Sequence, residues 1–241
     1  MAGHNKWSQI KRKKAANDSQ RSKIISKHIR AISTAVREGG GPDPTNNLNL
    51  KNALAAAKTD NVPIDNVKRA IDKASGGGDG LQFDAVVYEG YGPAGIAVMV
   101  EALTDNRNRT VAAVRHVFSK HGGNMSGSTA WQFESKGMIV IADISDDIQE
   151  LAIELGAEDM ELDDESITIY TPASELFNIL EGIEEKGYKA EINQLTKIAQ
   201  LETELPESDA KKVLRFIDSL EDLDDVQNVY STASFDKLEL G

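Results

Sequence analysis

The order of strand-like and helix-like stretches after Gly137 constrains the fold of this chain most. Runs of apolar and β-branched residues mark strands over 138–143, 158–162, 166–170 and 188–195. Apolar residues at helical spacing mark helices over 147–155 and 173–185. Strand-helix-strand-strand-helix-strand is the ferredoxin-like order, and it is complete in itself. The flanks are not. Before it come strands over 83–91 and 96–103, a helix to about 120 and a strand over 128–133 that ends in Trp131-Gln132-Phe133. After it come a helix over 209–221, with Val213, Leu214, Ile217 and Leu220 inward, and a strand over 225–232. Neither flank has a partner unless they join each other. The expected arrangement is therefore an acidic ferredoxin-like unit at 135–204, inserted into a discontinuous α/β domain made of 81–134 and 205–241.

The first 75 residues have a different texture. Ile25, Ile29, Ile32 and Val36 recur at helical spacing over 19–37, with Lys23, Lys27, Arg30 and Arg37 on the opposite side. One side is core and the other a cationic ridge. Gly39-Gly40-Gly41-Pro42 stops that helix. A second helix runs over 48–58, with Leu50, Ala53, Leu54 and Ala57 inward. A third opens at Pro63, with Ile64, Val67, Ala70, Ile71 and Ala74 on one side. These make a basic helical domain over 1–75, and Gly76-Gly77-Gly78-Asp79-Gly80 reads as a flexible linker. The fold class is α+β: an N-terminal three-helix domain followed by two α/β domains, one inserted in the other.

Charge separates the same regions. Residues 1–75 carry a net +9 and the remainder a net −21. Gly3 to Lys27 alone contains eight Lys or Arg and one acid, Asp18. Lys and Arg at that density form a phosphate-seeking surface, and the acidic remainder orients a bound polyanion. The chain has no cysteine, which removes disulfides, thiol nucleophiles and thiolate metal sites. No apolar run reaches the roughly 20 residues of a membrane helix. A cytoplasmic location is expected, without membrane attachment.

Several motifs lose their functional reading on inspection. Gly90-Tyr91-Gly92-Pro93-Ala94-Gly95 spells the dinucleotide fingerprint, but a strand follows it where that site requires a helix, so a hairpin connection is expected. The glycines at 76–80 lack the following Gly-Lys-Ser/Thr of a phosphate loop. His28, on the edge of the first helix's apolar stripe, reads as a packed histidine. His116 and His121 lie about 140° apart around a helix and share no metal from one face. The acids around 143–147 and 163–165 lack the alternating ligands of a calcium loop. No nucleophile is spaced with a base, so no catalytic residue, cofactor or metal is expected.

Four blocks carry a resemblance. They are Met-Ala-Gly-His-Asn-Lys-Trp-Ser-Gln-Ile-Lys at the start, Arg-Glu-Gly-Gly-Gly at 37–41, Glu-Gly-Tyr-Gly-Pro at 89–93, and the run from Leu103-Thr-Asp-Asn-Arg-Asn-Arg-Thr110 through Arg115-His-Val-Phe-Ser-Lys-His-Gly-Gly123. Over essentially its full length the chain resembles the YebC/PmpR family. Asn5 stands where the family usually has Ser, and 124–128 is shorter than in many members. The resemblance implies a helical N-terminal domain, two α/β domains and no catalysis. It implies nucleic-acid-linked regulation: bacterial members are commonly labelled transcriptional regulators that bind DNA, and others are tied to translation as activators or stall-relieving, ribosome-associated factors.

The candidate nucleic-acid contacts are Lys6, Lys11, Arg12, Lys13, Lys14, Arg21, Lys23, Lys27 and Arg30. Trp7 either stacks on an exposed base or packs on the bundle. Arg107, Arg109, Arg115 and Lys120 form either a secondary anion site or a set of local ion pairs on a soluble helix. The preponderance of Lys suits phosphates better than bidentate base reading, and no heptad seam for a dimer is present. Those two features lean toward a monomer on structured RNA, with DNA the partner that the family label favours.

Overall fold

The computed structural model describes residues 18–76 and 82–235. Lys6, Trp7, Lys11, Arg12, Lys13, Lys14 and the glycines at 77, 78 and 80 lie outside the described residues. The chain divides into two compact units, one of residues 1–133 with 199–241 and the other of Glu134–Ile198.

In the first unit, helix α1 (Asp18–Glu38) packs on α2 (Leu48–Thr59) and α3 (Ile64–Ser75). Ile32, Ala35, Val36, Leu50, Ala57, Val67 and Ala70 are buried between them, with Ile25, Ile29, Ala53, Leu54, Ile71 and Ala74 half-buried at the margin. Ile64 departs from its expected inward position and is 63% exposed. It occupies the first turn, directly after Pro63, and the buried side of α3 begins only at Val67. The turn after α1 is built around Asn47, which is 1% exposed. Its amide donates to the carbonyls of Ala35 (2.7 Å) and Gly41 (2.8 Å), while its Oδ1 accepts from the Leu50 amide (3.0 Å) and so caps α2. Gly39 has no side chain because one would stand 2.2 Å from Asn47 Oδ1.

The rest of this unit is a sheet of three strands in the order β1-β2-β8, with β1 Asp84–Tyr91, β2 Ala97–Thr104 and β8 Val226–Ser231. Both pairings are antiparallel, and β1 joins β2 through a 3-10 turn at Pro93–Gly95. Helices α4 (Arg107–Lys120) and α7 (Glu207–Glu221) cover one face. Val98, Val100, Val114, Phe118, Val213, Phe216, Ile217 and Leu220 fill that layer, and Phe118 meets Phe216 edge to face at 4.9 Å. Burying each such side chain contributes about 1.5–3 kcal/mol. On the other face Met99 and Tyr230 pack with Phe133.

The expected strand over 128–133 is not there. Ala130–Gln132 is a 3-10 turn, and the strand begins at Phe133. The cause is Glu89 on β1. Its carboxylate accepts from the Ser128 hydroxyl (2.9 Å) and from the amides of Thr129 (2.5 Å) and Ala130 (2.7 Å). Those donors converge on one point only if the backbone curls. A two-residue parallel pairing of β7 (Thr203–Glu204) with β9 (Ala233–Ser234) completes the unit.

The second unit has the inserted ferredoxin-like order. Its strands are β3 (Phe133–Ile141), β4 (Asp159–Leu162), β5 (Ile167–Pro172) and β6 (Ala190–Ala199), arranged β4-β5-β3-β6. Helices α5 (Asp146–Glu154) and α6 (Leu176–Glu185) bury Ile148, Ala152, Leu176, Ile179 and Ile183 against Ile139, Ile141, Ile167 and Ile169. β3 starts five residues earlier than its apolar run suggests, with Lys136 and Gly137 already paired to Pro172 and Thr171 of β5, and β6 runs on to Ala199.

Candidate nucleic-acid interface

Helix α1 places Lys23, Lys27 and Arg30 on one stripe, at i, i+4 and i+7. That stripe is not free. It lies against the turn between α7 and β8, which reads Glu221-Asp222-Leu223-Asp224-Asp225. Lys23 Nζ reaches the Asp222 carbonyl at 3.2 Å and its carboxylate at 3.4 Å. Lys27 Nζ donates to the Glu221 carbonyl at 3.0 Å. Arg30 donates to the Asp224 carbonyl and sits 3.3 Å from Asp225 Oδ1, with its guanidinium 5.5 Å from the centre of the Phe83 ring. Two of these acceptors, Glu221 and Asp222, end α7, where helix carbonyls lack intrahelical partners and the dipole is negative. Arg21, two residues before Lys23, is exposed.

Asp225 is the hub of a second set of contacts. Arg109 Nη2 donates to its Oδ2 at 2.8 Å and to Asp105 at 2.7 Å. The Thr110 hydroxyl lies 2.7 Å from both Asp225 Oδ2 and the Thr104 hydroxyl. Burial by itself would raise the Asp225 carboxyl. The hydrogen bonds from Arg109 and Thr110, with the charges of Arg109 and Arg30, outweigh it and hold the group below its ordinary range. The same pairing pushes Arg109 further up. Asn106 caps α4, its Oδ1 accepting from the Arg109 amide at 3.1 Å. The block from Thr104 to Thr110 thus starts a helix and clamps a carboxylate more than a hundred residues away.

The four cations of the proposed secondary site therefore differ. Arg107 pairs with Asp84 at 2.8 Å and Arg109 with Asp105 and Asp225. Arg115 and Lys120 are exposed. Sequence reasoning identified the cations and missed their partners. The Glu221–Asp225 run is dense in acids, but nothing in its spacing ties it to α1.

His28 packs as expected, its Nε2 2.6 Å from Asp60 Oδ2. Among the described residues no group of His, Asp and Glu is arranged to hold a metal ion. No described helix is long and apolar enough to cross a membrane. A cleft of about 640 Å³ opens between α1, α4 and the α7–β8 turn, lined among others by Arg30, Phe83, Arg109 and Asp225.

Known proteins place this architecture. The chain is 51% identical to a probable transcriptional regulatory protein of Thermus thermophilus, covering 100% of this chain and 99% of that one. It is 53% identical to a probable transcriptional regulatory protein of Deinococcus radiodurans, covering 97% of each. The crystal structure of a conserved hypothetical protein, Aq1575, from Aquifex aeolicus superimposes with a TM-score of 0.82 at 43% identity, over 92% of this chain and 95% of that one. Residues 5–77 match the "TACO1/YebC protein N-terminal domain" and residues 83–233 the "TACO1/YebC second and third domain". With both matches in chain order and relatives alike from end to end, the chain belongs to the TACO1/YebC family.

Proposed function

We propose that this protein is a non-enzymatic, nucleic-acid-binding regulator of gene expression that works as a cytoplasmic monomer. The observation that carries the reading is the charge division: a net +9 in residues 1–75 against −21 in the rest. Such a molecule approaches a polyanion with one end and repels it with the other. The names of the relatives, probable transcriptional regulatory proteins, support regulation at the DNA. The excess of Lys over Arg in the basic block favours a second reading, a translation factor on structured RNA or the ribosome, since Lys meets phosphate as a point charge.

In either case Lys6, Lys11, Arg12, Lys13, Lys14, Arg21, Lys23, Lys27 and Arg30 make the phosphate contacts, and Trp7 either stacks on an exposed base or packs on the bundle. Lys11, Arg12, Lys13 and Lys14 are contiguous, and no core accommodates four adjacent charges. Changing all four to Ala leaves the thermal midpoint almost unchanged, because surface substitutions cost within about 0.5 kcal/mol each. It weakens nucleic-acid binding and flattens the salt dependence by about 0.7–0.9 log units per lost contact. Titrations of wild type and variant on duplex DNA and on structured RNA, at several salt concentrations, test this. Equal affinity and equal slope on both polymers would remove the basic block from the interface. Tighter binding to duplex DNA favours the transcriptional reading, and tighter binding to RNA the translational one.

A further inference from the structure

We infer that the α7–β8 turn is an internal competitor for nucleic acid: it occupies the cationic stripe of α1 and must be displaced before that stripe meets phosphates. The inference rests on the nucleic-acid reading above and adds a closed state to it. Three cations that a phosphate backbone would use, Lys23, Lys27 and Arg30, all reach oxygens of Glu221–Asp225. The turn offers what a phosphate strand offers, a row of oxygens with negative charge behind it. The carbonyls at the end of α7 supply some of these oxygens and the carboxylates of Asp222 and Asp225 the others.

The contact is built to open. The apolar cluster around Ile32 and Leu50 and the one around Phe118 and Phe216 share no residue among those described. The cleft of about 640 Å³ between α1, α4 and the α7–β8 turn is lined by Arg30, Arg109, Asp224 and Asp225 together with Ile29, Phe83 and Leu223, so the two clusters face each other across open space and are not close-packed there. Lys23 and Asp222 are 41% and 71% exposed in their side chains. Exposed ion pairs of this kind are weak and fall further with salt. The Arg30–Asp225 pair, 19% and 10% exposed, is the inner hold, and a polyanion reaches it only after the outer Lys23 contact has yielded. Arg109 stays behind, because it and Thr110 hold Asp225 from the other side. That second grip keeps the turn in place while α1 leaves it.

The closed state makes binding conditional. A face open about one-tenth of the time binds about tenfold more weakly than the same face free. Opening couples to salt as well as to the ligand.

The test uses the full chain. It has no cysteine, so Asp65→Cys on α3 and Lys212→Cys on α7, both exposed, accept spin labels at two defined points. The comparison is with the same pair carrying Glu221→Gln, Asp222→Asn and Asp224→Asn, which removes the charge beside the carbonyls that Lys23, Lys27 and Arg30 reach and leaves the Arg30–Asp225 pair and the Arg109 grip in place. Without nucleic acid at low salt, the parent gives one narrow distance distribution and the neutralised turn a broader or longer one, with equal melting temperatures. Adding structured RNA or duplex DNA moves the parent toward the neutralised form. The neutralised turn binds about tenfold tighter at low salt, and the gap closes toward 1 M salt, where the Debye length is about 3 Å. Equal affinities with unchanged distances overturn the competitor and leave the nucleic-acid reading standing. Failure of both proteins to bind either polymer removes that reading and the competitor with it.

Discussion

Glu89 shows how a single carboxylate decides local structure. Its three donors, Ser128, Thr129 and Ala130, curl the chain and hold up Trp131, which is 69% exposed and whose indole donates to the Ser128 carbonyl at 3.1 Å. The Ala130 amide, with Ser128 and Thr129, holds the carboxyl below its ordinary value of 4.5 against the opposing effect of burial. A depressed folded-state pKa means that the ionised clamp stabilises fully above the ordinary value and loses its effect as pH falls through the folded one. Glu89→Gln keeps the shape and removes the charge. It is expected to cost about 1–2 kcal/mol at neutral pH. It should also shift Trp131 fluorescence in a Trp7→Phe background, which leaves one tryptophan. The gap between the two proteins in urea melts is constant above about pH 5 and narrows below it. A gap that persists unchanged to about pH 3 would show that the charge is not what holds the turn.

At the scale of elements, the end of α1 depends on one buried amide. Asn47 ties the carbonyls of Ala35 and Gly41 to the start of α2, and Gly39 makes room for it. Asn47→Ala removes a cap and two further hydrogen bonds and is expected to destabilise the helical part by roughly 2–3 kcal/mol. Gly39→Ala pushes a methyl into the same amide. Because both act on one contact, the double variant should fall short of the sum of the singles in denaturant melts. Full additivity would separate the two residues. Elements of this kind were largely legible in the sequence. Helical spacing locates α1, α2, α3, α4 and α7, and the strand-helix order carries the inserted unit. Three things were not legible. The 3-10 turn at 130–132 is dictated by Glu89, some forty residues away. The exposure of Ile64 depends on where its helix meets its partners. The pairing of α1 with Glu221–Asp225 joins residues nearly two hundred positions apart. Local periodicity records which side of a helix is apolar, and it carries no information on what lies opposite the polar side.

For the whole molecule, the insertion is the organising fact. The two crossings into the inserted unit are neighbours: the Gln200 amide donates to the Gln132 carbonyl at 2.8 Å, and Ala199 packs with Phe133. Replacing residues 134–198 by about four Gly and Ser residues, the length of a hairpin loop, should leave a chain that melts cooperatively within about 5 °C of the parent. A broad or lost transition would mean that the outer domain leans on its guest. The same topology sets a timetable. Strand β2 pairs with β8, as in Val98 with Ser231, and just past β8 the Thr232 hydroxyl accepts from the Ala97 amide, 135 positions away. A chain leaving the ribosome at about 5–20 residues per second therefore exposes β1, β2 and α4 on the order of ten seconds before α7 and β8 exist to cover them. The inserted unit, whose strands are all close in sequence, has time to fold during that wait. The outer domain is begun first and finished last, and the half-built sheet carrying Val98, Val100 and Phe118 is where a nascent chain of this protein most needs shelter from aggregation.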